Sequence, residues 1–402
     1  MSQVEDLRRL GRAQAEAATA VLQRVLPPPL PLLFDASFVR SHLLYDEFVY
    51  RLTLAVAREI GLEAAIEEPG DVDEIAARAK LDARRALVPL DWILRELAAR
   101  GALEETNGAR YRTRGDLPAL DPAPVREEQV RQDPSCLPSY VVAETVARDY
   151  PAFLRGEIAG EEILFSPRRL RLWVDYFSND NGLYAVNNRV GAAAFEQWLP
   201  REGGRVVELG GGLGSGALAV LERLEAAGRL GAIREYWFTE PVPAFLRRGQ
   251  QALQSRYAAL PGLAFGSVDM NRPFAEQGIS PGSLSVVYAV NTLHVAHDLE
   301  LTLGEALRAL EPGGRLVVSE CVRPRPRQPI YAEFVFNLME TFRSPRLHPR
   351  YRPGGGFLTP EQWRDAVEAA GFADVRFLPD IARIREQVPD FFVAAVGASR
   401  PR

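Results

Sequence analysis

Cysteine is nearly absent from this chain: two in 402 residues, Cys136 and Cys321. They stand far apart in unlike contexts, so neither a disulfide framework nor a cysteine zinc cluster can be built from them. Lysine is scarcer still. Lys80 is the only one, and every other basic residue besides histidine is arginine. Schiff-base chemistry would rest on Lys80 alone, and no lysine follows the glycine-rich turn near residue 210, which excludes a phosphate-loop nucleotidase. No stretch approaches the roughly eighteen apolar residues of a membrane span. The opening M-S-Q-V-E-D-L-R-R-L lacks the apolar core of a signal peptide, so the expected location is cytoplasmic. The formal net charge of −5 lacks the basic excess of a general nucleic-acid binder. No nucleic acid and no membrane is expected among its partners.

What is present reads as two folding regimes. Residues 2–26 and Phe38–Leu62 carry helical periodicity. The second is apolar on too many sides for a solvated helix, and a homodimer interface is one way to cover it. Helical units 71–79 and 83–100 follow, then a hairpin with Asn107-Gly108 at its turn. Helices followed by a hairpin make a winged-helix pattern, read here as a dimerisation module ahead of a DNA-binding one. Residues 117–138, rich in proline and charge, read as linker, and 140–200 as helical, either connecting helices or a lid in which Tyr184, Asn187 and Asn188 face a ligand. The resulting division is a winged-helix-like domain at 1–116, a linker and lid at 117–200 and a cofactor domain at 201–402.

From Arg205 strands and helices alternate, which predicts an α/β, Rossmann-like sheet of seven mostly parallel strands with helices on both faces. Ligands bind such sheets at the carboxyl ends of the strands. There the first strand, V-V-E-L, runs into G-G-G-L-G-S-G. The strict dinucleotide pattern G-x-G-x-x-G does not fit, since Ser215 stands where a glycine is needed. A looser form ending in alanine fits Gly212, Gly214 and Ala217. What fits without strain is E-x-G-x-G-x-G over Glu208, Gly210, Gly212 and Gly214. A carboxylate beside the turn would repel a diphosphate and suits an ammonium or other cation. Glu240 ends the next strand in F-T-E-P and could accept both hydroxyls of a ribose. Asp269, followed by Met270, ends the third strand region and could meet an adenine amine. Asn291 follows the fourth.

These motifs, with E-P-G-G-R-L-V-V-S-E, resemble the S-adenosylmethionine-dependent class I methyltransferases, over roughly Arg205 to the C-terminus. The resemblance implies that S-adenosylmethionine is the cofactor, with Glu240 on its ribose and Asp269 near its adenine. The N-terminal half is similar to the dimerisation domain of small-molecule O-methyltransferases. A narrower resemblance rests on N-T-L-H-V-A-H-D-L (Asn291–Leu299) and Glu320. It looks like the C-methyltransferase domains of polyketide synthases, which use a histidine and a glutamate as a catalytic pair. His294 and Glu320 match those positions, while Glu240 departs from the aspartate usual there.

Methyl transfer to carbon or oxygen needs proton removal at the nucleophile, and histidine oriented by a carboxylate suits that task near neutral pH. The chain has only four histidines, His42, His294, His297 and His348. His297 reads as a solvent-facing or capping residue, and no metal is expected. The function expected is methylation of a small-molecule or carrier-bound acyl acceptor, at carbon, with O-methylation of a phenolic or hydroxylated metabolite as the alternative. A winged-helix ligand sensor and an NAD-dependent dehydrogenase stand behind these. Pocket residues are expected from the Tyr184 region and from Tyr331–Phe342, with Phe334 and Asn337 among them. The loop 343–358 reads as cover for the acceptor or as plain surface.

Overall fold

A computed structural model describes residues 3–106 and 109–402, with side chains from residue 11 onward. The chain forms two compact units. One takes residues 1–19, 36–176 and 325–343; the other takes 20–35, 177–324 and 344–402.

The first unit is helical, with one small hairpin. Helix Ala36–Glu59 is buried along most of its length, as its apolar sequence requires. Helices Ala123–Gln132, Leu137–Leu154 and Ala83–Ala99 pack against it. The face that suggested a dimer is therefore covered within its own unit. The linker reading of 117–138 needs correction. Residues 123–132 form a helix, opened rather than broken by its first-turn prolines. It is tied to the long helix by buried polar contacts: Arg40 with Glu128 at 2.5 Å, and Gln129 Nε2 donating to Ser41 Oγ at 3.0 Å. Asp82 caps helix Ala83–Ala99, accepting from the backbone of Arg84 and Arg85. Strands β1 (Leu103–Thr106) and β2 (Arg110–Thr113) then pair antiparallel. The expected turn Asn107-Gly108 between them lies outside the described residues.

The second unit holds the sheet. Its strands are β3 (Gly204–Leu209), β4 (Ile233–Thr239), β5 (Leu263–Gly266), β6 (Leu284–Val290), β7 (Leu310–Cys321), β8 (Ala373–Leu378) and β9 (Val393–Ser399). Their order is β5-β4-β3-β6-β7-β9-β8. The pairs from β5 to β7 are parallel, and β9 runs antiparallel between β7 and β8. β6, L-S-V-V-Y-A-V, reads as a near-continuous apolar run because both of its faces are covered. The order reverses at β3, so the crevice outside its carboxyl end is where a ligand fits. Helix Gly182–Trp198 packs on β7 and β9.

Candidate active site

The turn after β3 is built on left-handed glycines, and two of them show why no other residue serves. Gly210 has φ +60°, and a Cβ there would lie 2.4 Å from the Thr292 side chain. Gly212 has φ +58°, and a Cβ there would project into open space. Gly214, also left-handed, caps helix Ser215–Ala226. A ligand can therefore lie against the main chain at Gly212 with no side chain between.

Glu240, at the end of β4, braces this turn. Its Oε2 accepts from Gly212 N–H at 2.9 Å and its Oε1 from Val242 N–H at 2.8 Å. Burial raises its pKa, while these two N–H groups pull it back down. Glu208 is buried behind the turn, accepts from Tyr236 Oη at 3.0 Å, and is hydrogen-bonded by the backbone of Ala217. Burial pushes its pKa up to about 8, so near neutral pH it is largely a neutral acid bracing the helix start, not a standing negative charge. Asp269 lies in the loop after β5, its Oδ1 accepting from Asn271 N–H at 2.9 Å. Met270 contributes its carbonyl to Thr302 Oγ1 at 2.9 Å.

Asn291 follows β6 in the left-handed region, φ +48°, unusual for a residue with a side chain. Its backbone N–H donates to Ser319 O at 2.8 Å, and its Oδ1 accepts from Asn187 Nδ2 at 3.0 Å and Cys321 N–H at 3.1 Å. Asn187 thereby ties helix Gly182–Trp198 to the ends of β6 and β7. Among the described residues nothing hydrogen-bonds its own buried Oδ1. Asn188 donates to Asn179 Oδ1 at 2.8 Å, and Tyr184 packs edge-on against Phe177. The loop at 177–181 was missed from sequence. Asn179 Nδ2 donates to Ser215 O at 2.9 Å, and Ser215 Oγ donates to Phe177 O. Its signal was the polar run S-N-D-N-G ahead of the helix. Phe334 and Asn337 belong to the other unit, where Phe334 packs on Trp92 and Tyr150 in a fully buried position.

His294 and Glu320 are brought together. His294 sits in the short turn Leu293–Val295 after β6, and its Nδ1 lies 2.6 Å from Glu320 Oε2. Both side chains are buried. Glu320 Oε1 accepts from the backbone N–H groups of Thr292, Leu293 and His294, at 3.2, 2.9 and 3.3 Å. One carboxylate thus fixes both the ring and the turn that carries it. Glu320 holds the ring through Nδ1, the arrangement in which a carboxylate orients a histidine. The Phe357 ring lies 4.6 Å from the imidazole, centroid to centroid. His297 is exposed, and no cluster able to hold a metal occurs among the described residues.

The sequence profile described as methyltransferase domain matches residues 176–376, the stretch that contains the turn, Glu240, His294 and Glu320. The chain belongs to that family. It is an S-adenosylmethionine-dependent methyltransferase, and the dehydrogenase reading falls. Among its relatives, highly reducing polyketide synthase 2 of Gibberella zeae is 28% identical over 255 residues, 61% of this chain and 9% of that one. Polyketide synthase ThaG of Burkholderia thailandensis is 28% identical over 332 residues, 79% of this chain and 5% of that one. The methyltransferase therefore spans a tenth or less of the length of these relatives. In fold it is similar to the CurJ carbon methyltransferase, with a TM-score of 0.76 at 22% identity, covering 96% of this chain and all of that one. The DszA carbon methyltransferase gives 0.71 at 21% identity, covering 94% and 95%. No helix among the described residues is long and apolar enough to cross a membrane.

Proposed function

We propose that this methyltransferase alkylates the carbon between two carbonyl groups of an acyl chain held as a thioester on a carrier, with His294 as the base. The observation that carries the reading is the 2.6 Å contact between His294 Nδ1 and a fully buried, threefold-anchored Glu320. A carbon flanked by two carbonyls is acidic enough for an imidazole to deprotonate. His294 Nε2 takes that proton, and Glu320 stabilises the imidazolium that results. The methyl donor supplies an electrophilic methyl group on a sulfonium and leaves as a neutral thioether.

The residues fit that donor. Gly212 leaves room against the main chain, and Glu240 keeps acceptor capacity beyond its two N–H bonds for ribose hydroxyls, while in this reading Asp269 meets the adenine. Asn291 and the buried acceptor of Asn187 border the same strand ends. Support for a carrier-bound acceptor comes from the names of the relatives, which are polyketide synthases.

The test uses acetoacetyl pantetheine thioester as acceptor. Wild type should add one methyl at C-2, located by NMR of the product. His294→Ala should keep S-adenosylhomocysteine binding by calorimetry and lose turnover on the order of a hundredfold. Full turnover in that variant removes His294 as base. A product methylated on the enol oxygen moves the reading to O-methylation.

A further inference from the structure

Loop 344–359 does not lie slack. Arg346 N–H donates to His297 O at 2.6 Å, and its guanidinium meets Asp298 at 2.6 Å. Arg352 donates through Nη2 to His294 O at 2.6 Å and through Nη1 to Ala296 O at 2.8 Å. Phe357 then reaches the His294 ring. The loop is a clasp on the segment that carries the base, and Arg352 is its centre.

We propose that Arg352 is a positioning residue for methyl transfer, gripping the turn that holds His294. The proposal rests on His294 being the base. Arg352 is 1% exposed and forms no ion pair among the described residues. A buried guanidinium without a paired carboxylate is expensive, and structures keep one only where a nearby charge or a set of acceptors compensates. The carbonyls of His294 and Ala296 are those acceptors, and Glu320 is the first of the negative charges acting on it, with Asp298 second. Burial lowers the Arg352 pKa to about 10, so it remains a cation at neutral pH.

The remaining charged groups around the site are compensated by other partners. Asp298 pairs with Arg346, Arg323 Nε bonds Phe357 O at 3.0 Å, and Glu300 accepts from Tyr351 Oη at 3.2 Å. His348 stacks on Tyr351. Only the guanidinium forks across two carbonyls; an ammonium keeps the charge and loses that grip.

Two readouts test the grip. In Arg352→Lys, which keeps the charge and loses the fork, kcat should fall about tenfold at unchanged KM for the thioester. The four histidines allow the His294 imidazole to be followed by NMR at one fixed pH, its signal assigned by its loss in His294→Ala. In Arg352→Lys, and in Arg352→Gln if the first does not fold, that signal should move or broaden as the turn loosens. Wild-type kcat in Arg352→Lys, or an unmoved His294 signal in a folded variant, overturns the grip. The NMR comparison needs no acceptor, so it decides this proposal even if His294→Ala keeps turnover and the base assignment fails.

Discussion

A carboxyl group enclosed by protein resists ionisation, and Glu208 carries that resistance to about pH 8 from a usual 4.5. The unfolded chain releases this proton near the usual value, so between about pH 4.5 and 8 the folded state binds more protons than the unfolded one. Stability contributed by this group therefore falls as pH rises through that window. Glu208→Gln should remove the slope: its melting temperature should gain on wild type progressively from pH 5 to pH 8, while the two converge near pH 4. Parallel melting curves across that range would show that the carboxyl is not buried as described. Because the side chain serves Tyr236 and Ala217, the same variant should hold S-adenosylhomocysteine within about threefold of wild type, since no net charge is removed near neutral pH. Residue type was legible from sequence here, and so was the position beside the turn. Burial was not, and burial sets the charge. His294 and Glu320 were legible because each ends a strand-associated motif and their strands are neighbours. Arg352 left no local signal, since its partners are backbone carbonyls 56 and 58 positions away that any residue type supplies.

Among the elements, the glycine turn was the easiest to read and gives the plainest test. Gly212→Val places a branched side chain at φ +58° in the open space of the turn. The left-handed conformation costs about 1–2 kcal/mol for such a residue. Affinity for S-adenosylhomocysteine should fall at least about tenfold through lost access to the main chain, measured by calorimetry on the folded variant. Unchanged affinity would mean the ligand does not approach the backbone there. The parallel strands were equally visible, because burial on both faces produces unbroken runs such as L-S-V-V-Y-A-V in β6. Helix Ala123–Gln132 was not. Its apolar content is low, and what holds it is a set of polar contacts, Arg40 with Glu128 and Gln129 with Ser41, that hydrophobic periodicity cannot register. The loop that follows residue 343 was read as cover or surface for the same reason: its order comes from distant carbonyls and one ring, not from its own proline- and glycine-rich composition.

Taken as a whole, the chain is interleaved. Residues 325–343 sit between β7 and β8 in sequence but belong to the helical unit, and residues 20–35 belong with the sheet. A sequence-based cut at residue 201 therefore separates more than a linker. A fragment of residues 201–402 lacks helix Gly182–Trp198, leaving the apolar faces of β7 and β9 bare. It also carries Phe334 without Trp92 and Tyr150. Such a fragment should aggregate or melt without cooperativity. A fragment of residues 177–402 should recover a cooperative transition in calorimetry yet be cut by protease first within 325–343. A cooperative, protease-resistant 201–402 fragment would contradict this division. Sequence periodicity finds elements but does not say which body each joins, and the helical unit's claim on 325–343 rests on ring contacts between residues far apart in the chain.

The antiparallel strand β9 carries a further consequence, one of timing. Residues 393–399 fill the place between β7 and β8. As the polypeptide leaves the ribosome, five strands can assemble in order of synthesis, but β7 keeps one edge of unpaired backbone groups until β9 arrives more than seventy positions later. An unpaired edge beside a growing apolar sheet is the surface to which another nascent copy can add. The high sequence separation also makes closure of the sheet a slow step. Yield of the enzyme in a host cell should thus depend on translation rate and chaperone supply more than on the stability of the finished fold.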